Sequence, residues 1–145
     1  MSSIHLEIIT PEKIAFTDEV EMVTVPSADG IIGVLPKHAP LFSRLIQGEV
    51  KILKKRDEIF LAIGGGFMEV TPEKVIILVT EAYHAEEINE QEMMMAKKRA
   101  EEALSQKPTG SALIEAKAMF QRSVIAMKIV GKRRRTTQRE QHTVS

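Results

Sequence analysis

Val23-Thr24-Val25-Pro26-Ser27-Ala28-Asp29-Gly30-Ile31-Ile32-Gly33-Val34-Leu35-Pro36-Lys37-His38-Ala39-Pro40-Leu41 decides how the rest of the chain reads. A β-branched apolar run enters a Ser-Ala-Asp-Gly turn, returns as Ile31 to Leu35 and stops at Pro36. β-Branched residues fit the pleated surface of a strand, and polar clusters containing Gly mark turns. Two buried strand segments joined by a tight turn are therefore predicted. Pro36 and Pro40 then hold the backbone of an exposed corner around His38. Such a corner suits protein recognition, and it suits a purely structural role equally well. Nothing in the stretch has the make-up of a catalytic site.

On the N-terminal side, Ile4, Leu6 and Ile8 alternate with His5 and Glu7, the period of a strand with one buried face. Thr10-Pro11-Glu12-Lys13 turns the chain into a short strand from Ile14, and Val20 to Val25 carries the next. On the C-terminal side, Val50 to Leu53 and Ile59 to Ile63 flank a charged Lys54 to Glu58 segment, which reads as a hairpin with a charged tip. Gly64-Gly65-Gly66 leads into Phe67 to Val70, and the unbroken Val75 to Val79 run is expected to be a central strand covered on both faces. Many short strands between regular turn signals predict a β-sandwich or barrel over residues 1–85.

The pattern then changes. Asn89 with Glu92 three residues on is a capping box, and Met93, Ala96, Ala100, Ala103 and Leu104 recur at helical spacing. Gln106 to Gly110 breaks this helix. Ser111 is expected to cap a second, with Leu113, Ala116, Phe120, Val124, Met127 and Val130 as its apolar stripe. Residues 86–131 thus form an αα-hairpin, and the chain as a whole is α+β. An alanine-rich stripe buries little area at about 25 cal/mol per Å², so the hairpin should depend on docking elsewhere and can take more than one position. Residues 132–145 open on a basic run and are expected as a disordered tail.

The totals exclude several function classes. The 145 residues carry 20 basic and 20 acidic side chains, so no net field draws the chain to nucleic acid. The basic run Lys132 to Arg139 has no aromatic platform or recognition module beside it, which leaves it a soluble tail. With no Cys, a disulfide framework and thiolate metal sites are excluded. The N-terminus lacks the basic and apolar regions of a signal peptide, and no apolar run nears the roughly 20 residues of a membrane span. His5, His38, His84 and His142 are scattered without ligand spacing, so no metal site is expected. Gly64-Gly65-Gly66 lacks the Gly-Lys-Ser/Thr ending of a phosphate loop and opens a strand, where glycines permit a bulge or close packing. No catalytic constellation and no cofactor site is predicted. Met93-Met94-Met95 reads as one core residue and two exposed helix formers rather than as an adaptable binding surface. Arg99 and Arg122 could converge on an anion across the hairpin, although solvated helix faces carry such residues routinely.

The opening stretch also resembles, nearly residue for residue, the signature of the ε subunit of bacterial-type F-type ATP synthases, through Val25-Pro26-Ser27, Gly30, Gly33-Val34-Leu35-Pro36 and His38-Ala39-Pro40-Leu41. Leu6-Glu7-Ile8-Ile9-Thr10-Pro11-Glu12 is similar to the family's beginning. Ile63-Gly64-Gly65-Gly66-Phe67-Met68-Glu69-Val70 and Val75 to Val79 are similar to two further segments in order. The resemblance covers residues 4–130. It implies an N-terminal sandwich of about ten strands at the foot of the central stalk, binding the γ subunit and the ring of c subunits. It implies a non-catalytic role in coupling proton flow to ATP synthesis, peripheral to the cytoplasmic face of the bacterial plasma membrane.

Carried over by position, the Ala28 to His38 loop would face the ring, with Asp29, Ile31 and His38 as contacts; Ile31 stands where some relatives carry a charge. The hairpin would fold on the sandwich or extend toward the catalytic α/β head and hinder ATP hydrolysis. Lys97, Lys98, Arg99, Arg122, Arg133, Arg134 and Arg135 would then meet acidic surface there. Some relatives bind ATP through an I/L-D-x-x-R-A motif. Here Ile88-Asn89-Glu90-Gln91-Glu92-Met93 puts a carboxylate where phosphate would sit, so tight ATP binding is not expected even with Arg99 and Arg122. The alternative from another class is a free-standing β-sandwich ligand-binding module with a helical dimerisation hairpin, but no convergent polar or aromatic cluster in the sequence marks a pocket for it.

Overall fold

The computed structural model describes the backbone of residues 2–143 and the side chains of residues 2–132. The chain divides into one unit up to His84 and a second from Ala85 onward. The first holds ten strands: β1 (Ile4–Ile9), β2 (Ile14–Val20), β3 (Met22–Ser27), β4 (Gly30–Val34), β5 (Leu41–Leu45), β6 (Gly48–Lys54), β7 (Asp57–Ile63), β8 (Gly66–Val70), β9 (Lys74–Val79) and β10 (Ala82–His84).

Pairing runs β10-β7-β6-β3-β5-β8-β9-β1-β2, with β4 on β3. One Ser27–Leu45 pair joins β3 to β5, so the path falls into two groups, β10-β7-β6-β3-β4 and β5-β8-β9-β1-β2. Strand alternation turns Val23, Val25, Val50, Ile52 and Leu61 of the first group and Leu6, Ile8, Met68, Val75 and Ile77 of the second into one buried cluster. This is a β-sandwich.

The β6–β7 ladder reaches Lys54–Asp57, so the tip is only Lys55-Arg56 rather than the whole Lys54 to Glu58 segment. Lys55 takes φ 57° in this two-residue turn, and Lys51 pairs with Glu58 at 3.2 Å diagonally across the ladder. The glycine run has a packing cause. A Cβ on Gly66 would lie 1.9 Å from the Leu78 carbonyl oxygen, and one on Gly64 would lie 2.2 Å from Thr80 Oγ1. These glycines let β7, β8 and β9 pass at close range.

The second unit opens with a 3-10 turn, Ala85–Glu87, followed by α1 (Glu90–Ser105) and α2 (Gly110–Thr143), which pack on each other. Asn89 caps α1, its Oδ1 accepting from the Glu92 N–H at 3.2 Å. The second helix begins at Gly110, one residue before the cap expected at Ser111, and Gly110 enters it with φ 61°. Its buried line follows Leu113, Ala116 and Phe120 but then moves to Ser123, Ala126 and Ile129, leaving Val124 exposed. A helix turns about 100° per residue, so the expected spacing of four after Phe120 drifts off the stripe. Ser123 tolerates burial because its hydroxyl donates to the Met119 carbonyl at 2.8 Å. The basic run after Gly131, expected as a disordered tail, lies within α2. Lys, Arg and Gln are good helix formers, and one Gly costs only about 1 kcal/mol.

Gly66→Ala is expected to lower stability by at least about 2 kcal/mol, since the added methyl meets backbone that cannot step aside. Urea unfolding of the full chain checks this. An unshifted midpoint would mean that β8 and β9 are not so closely apposed.

Candidate functional site

Two surfaces of the sandwich carry exposed large apolar side chains. The first is the β3–β4 hairpin. Ser27 Oγ donates to the Gly30 carbonyl and accepts from the Asp29 N–H at 3.2 Å, which closes the Ala28-Asp29 turn. Gly30 sits at φ 127°, a conformation L-residues avoid. Ala28 N–H donates to the Arg44 carbonyl at 2.9 Å, anchoring the turn to β5. Ile31 directly follows and is 80% exposed. Register places Ile31 opposite Pro26 and Val34 opposite Val23, so the His38 loop leaves from the far end of β4. Asp29 and Ile31 are thus brought together at the turn, whereas His38 is reached only after the strand. Its Nδ1–H donates to the Ala39 carbonyl at 2.7 Å, since a carbonyl only accepts. A Leu35–His38 turn and Lys37 at φ 65° shape that corner.

The second surface is the outward face of β5-β8-β9-β1-β2. Register aligns Arg44, Phe67, Leu78, Ile9 and Ile14 in one row and Phe42, Glu69, Ile76, Glu7 and Thr17 in the next. Phe42 and Phe67 stack with ring centroids 5.5 Å apart. They are 68% and 48% exposed, Leu78 is 51% exposed and Ile14 63%. The expectation that Val75 to Val79 is covered on both faces is therefore wrong. Val75, Ile77 and Val79 are buried, but Leu78 is not, and Ile76 is only half-buried. A continuous apolar strand can have one face inside its own domain and the other left for a partner. The reading of the sequence missed Phe42 and Phe67 as a pair because they lie 25 positions apart and meet only through the β5–β8 register.

Beside the apolar band lies a polar cluster. His5 Nδ1 is 3.1 Å from Glu19 and its Nε2 is 3.2 Å from Glu7, which ties β1 to β2. Asp18 on β2 pairs with Lys54 on β6. The Lys54 ammonium, helped by the Glu19 N–H, holds the Asp18 carboxyl below its usual range.

The expected head contacts lie on the helices. Lys98, Arg99 and Arg122 are exposed and Lys97 is half-buried, while the side chains of Arg133, Arg134 and Arg135 fall outside the described residues. Lys97, Lys98 and Arg99 are consecutive and so point about 100° apart, which spreads their charge around α1. Where an ATP motif would open α1, the Asn89 side chain is engaged in capping. Among the described residues no group of three or more His, Asp or Glu is placed to hold a metal ion.

A family model described as ATP synthase, Delta/Epsilon chain, beta-sandwich domain matches residues 3–85. Among curated relatives, an ATP synthase epsilon chain of Dehalococcoides mccartyi is 37% identical over 139 residues, covering 95% of this chain and 99% of the relative. One from Moorella thermoacetica is 40% identical over 132 residues, covering 90% and 98%. Two solved structures share the fold. A chain in the Euglena gracilis mitochondrial ATP synthase (OSCP/F1/c-ring) aligns with TM-score 0.67 and 23% identity, over 94% of this chain and 82% of that one. A chain in the Tetrahymena thermophila central stalk and c-ring structure aligns with TM-score 0.56 and 14% identity, over 89% and 97%.

The Asp18–Lys54 pair gives a sign-definite pH dependence. A carboxyl held below its ordinary 3.8 stabilises the fold fully above that value, and the contribution is lost as pH falls through the lowered folded value. Asp18→Asn should therefore be less stable than the parent near neutrality, and the difference should shrink in acid. A difference that stays constant with pH would assign the effect of the substitution to something other than this charge.

Proposed function

The chain belongs to the ATP synthase epsilon-chain family, stalk subunits of the rotary ATP synthase, and we propose that it couples the c ring to the catalytic head without catalysing a reaction itself. The observation that carries this reading is the uncovered apolar band of Phe42, Phe67, Leu78, Ile76, Ile9 and Ile14. Phe42, Phe67, Leu78 and Ile14 are exposed together across these strands, and clustered exposed apolar side chains mark partner interfaces. The γ subunit is the partner assigned to this band. The stacked Phe42 and Phe67 lie at its β5–β8 end, and exposed aromatic side chains are where binding energy concentrates.

The Asp29–Ile31 turn is assigned to the c ring. It is closed by the two Ser27 Oγ hydrogen bonds and is followed at once by the exposed Ile31 of β4. A pre-shaped loop loses little freedom on docking, which suits a contact that must transmit torque. His38, at the other end of β4, forms a separate contact. The subunit is peripheral to the cytoplasmic face of the bacterial plasma membrane through these partners, and no described helix is long and apolar enough to cross a membrane.

From Ala85 onward the chain is assigned as a regulatory arm that hinders ATP hydrolysis. Exposed Ile114 and Met119 offer apolar contacts. Lys97, Lys98, Arg99, Arg122, Arg133, Arg134 and Arg135 offer cationic ones to acidic surface on the α/β head. Tight ATP binding by the arm is not part of this reading, because Glu92 brings a negative charge to the motif position.

Phe67→Ser should weaken binding to isolated γ by about 30-fold or more, in the range of an interface hot spot of about 2 kcal/mol and above. The sandwich should stay folded, since the side chain faces outward. Titration calorimetry measures the affinity, and an unchanged value would remove the apolar band as the γ face. In the reconstituted complex, truncation after Ala85 should raise ATP hydrolysis while keeping γ bound. Equal hydrolysis by the full and truncated chains would refute the regulatory arm.

A further inference from the structure

The two ends of the sandwich's strand path, β10 and β2, are tied together by one side chain. On β2 the register with β1 jumps from Ile8–Phe16 to Ile9–Ile14, so Ala15 is an extra, bulged residue outside the ladder. A bulge leaves a backbone carbonyl in need of a donor. Here the donor comes from His84, 69 positions away, whose Nε2 lies 2.7 Å from the Ala15 carbonyl oxygen. A carbonyl only accepts, so Nε2 carries the proton. The His84 ring also lies beside Phe16, with centroids 6.5 Å apart.

His84 is the last residue of β10, a strand of three residues whose ladder partner is β7. Only Ala82 of the three is fully buried. Such a short edge strand holds weakly by itself, and local opening draws on the least stable elements. The next residue, Ala85, begins the second unit. We infer that the His84–Ala15 bond is a clasp that sets where the arm's tether begins, so that its release frees Ala82 to His84 and lengthens the tether. Three residues of extended chain add about 10 Å of reach. This inference rests on reading the second unit as a regulatory arm, and it adds a control point inside the sandwich.

The test uses the full chain with His84→Ala and His84→Gln, the latter retaining an N–H donor. Hydrogen exchange at the amides of Ala82 to His84 and of their partners Leu61 to Ile63 should quicken roughly 2- to 10-fold in His84→Ala, the range of one lost hydrogen bond. Exchange in β1, β8 and β9 should not change, and His84→Gln should recover part of the protection. In the reconstituted complex, His84→Ala should lower ATP hydrolysis by up to the same factor, because a longer tether favours the extended arm. Unchanged exchange at β10, or faster exchange throughout the sandwich, would overturn the clasp. Local release with unaltered hydrolysis would overturn the clasp's control of the arm, while the truncation after Ala85 decides separately whether the arm regulates at all.

Discussion

Val23, Val25, Val50 and Ile52 on one group of strands meet Leu6, Ile8, Val75 and Ile77 on the other, and with aromatics at 4% of the chain little else thickens the layer between them. A core of short aliphatic side chains holds only if the strands lie close and in register. Close approach of strands also accounts for Gly66, where a methyl group would strike the β9 backbone, while one on Gly64 would strike Thr80 in the β9–β10 connection. It also fixes what the outside looks like. Because strand side chains alternate, committing Val75, Ile77 and Val79 to the core commits Ile76 and Leu78 to the opposite face.

That opposite face links fold to role. Its apolar row crosses all five strands, and its polar cluster around His5 lies beside it on β1 and β2. A surface half aliphatic and half charged would be an aggregation hazard if it were never covered, and a permanent neighbour removes the hazard. The opposite group of strands contributes the Asp29–Ile31 turn. One ten-stranded body thus presents the two proposed contacts from different strand groups, whose ladders meet at Ser27–Leu45. Rigid coupling between two partners calls for such a body.

Much of this was legible in the sequence because it is local. Alternation in Ile4 to Ile8, the Ser27 to Gly30 turn and the Asn89 cap each declare themselves within a few residues. The motif blocks shared with the ε family were legible for the same reason. What stayed hidden depends on register between distant segments: the Phe42–Phe67 stack, the Asp18–Lys54 pair and the Ala15 bulge answered by His84. Apolar content alone cannot say whether a strand is covered by its own domain or by another chain, so the Val75 to Val79 run was misjudged on one face. Helical drift moved the α2 stripe from Val124 to Ser123, a position whose polarity disguised it.

The most direct measurement is hydroxyl-radical labelling of the full chain, alone and bound to γ, read at individual side chains. If the apolar face is the coupling interface, Phe42, Phe67 and Leu78 lose reactivity on complex formation while the exposed Lys55-Arg56 tip keeps its own. Unchanged labelling at the two stacked phenylalanines, with γ demonstrably bound, would contradict the account at its centre.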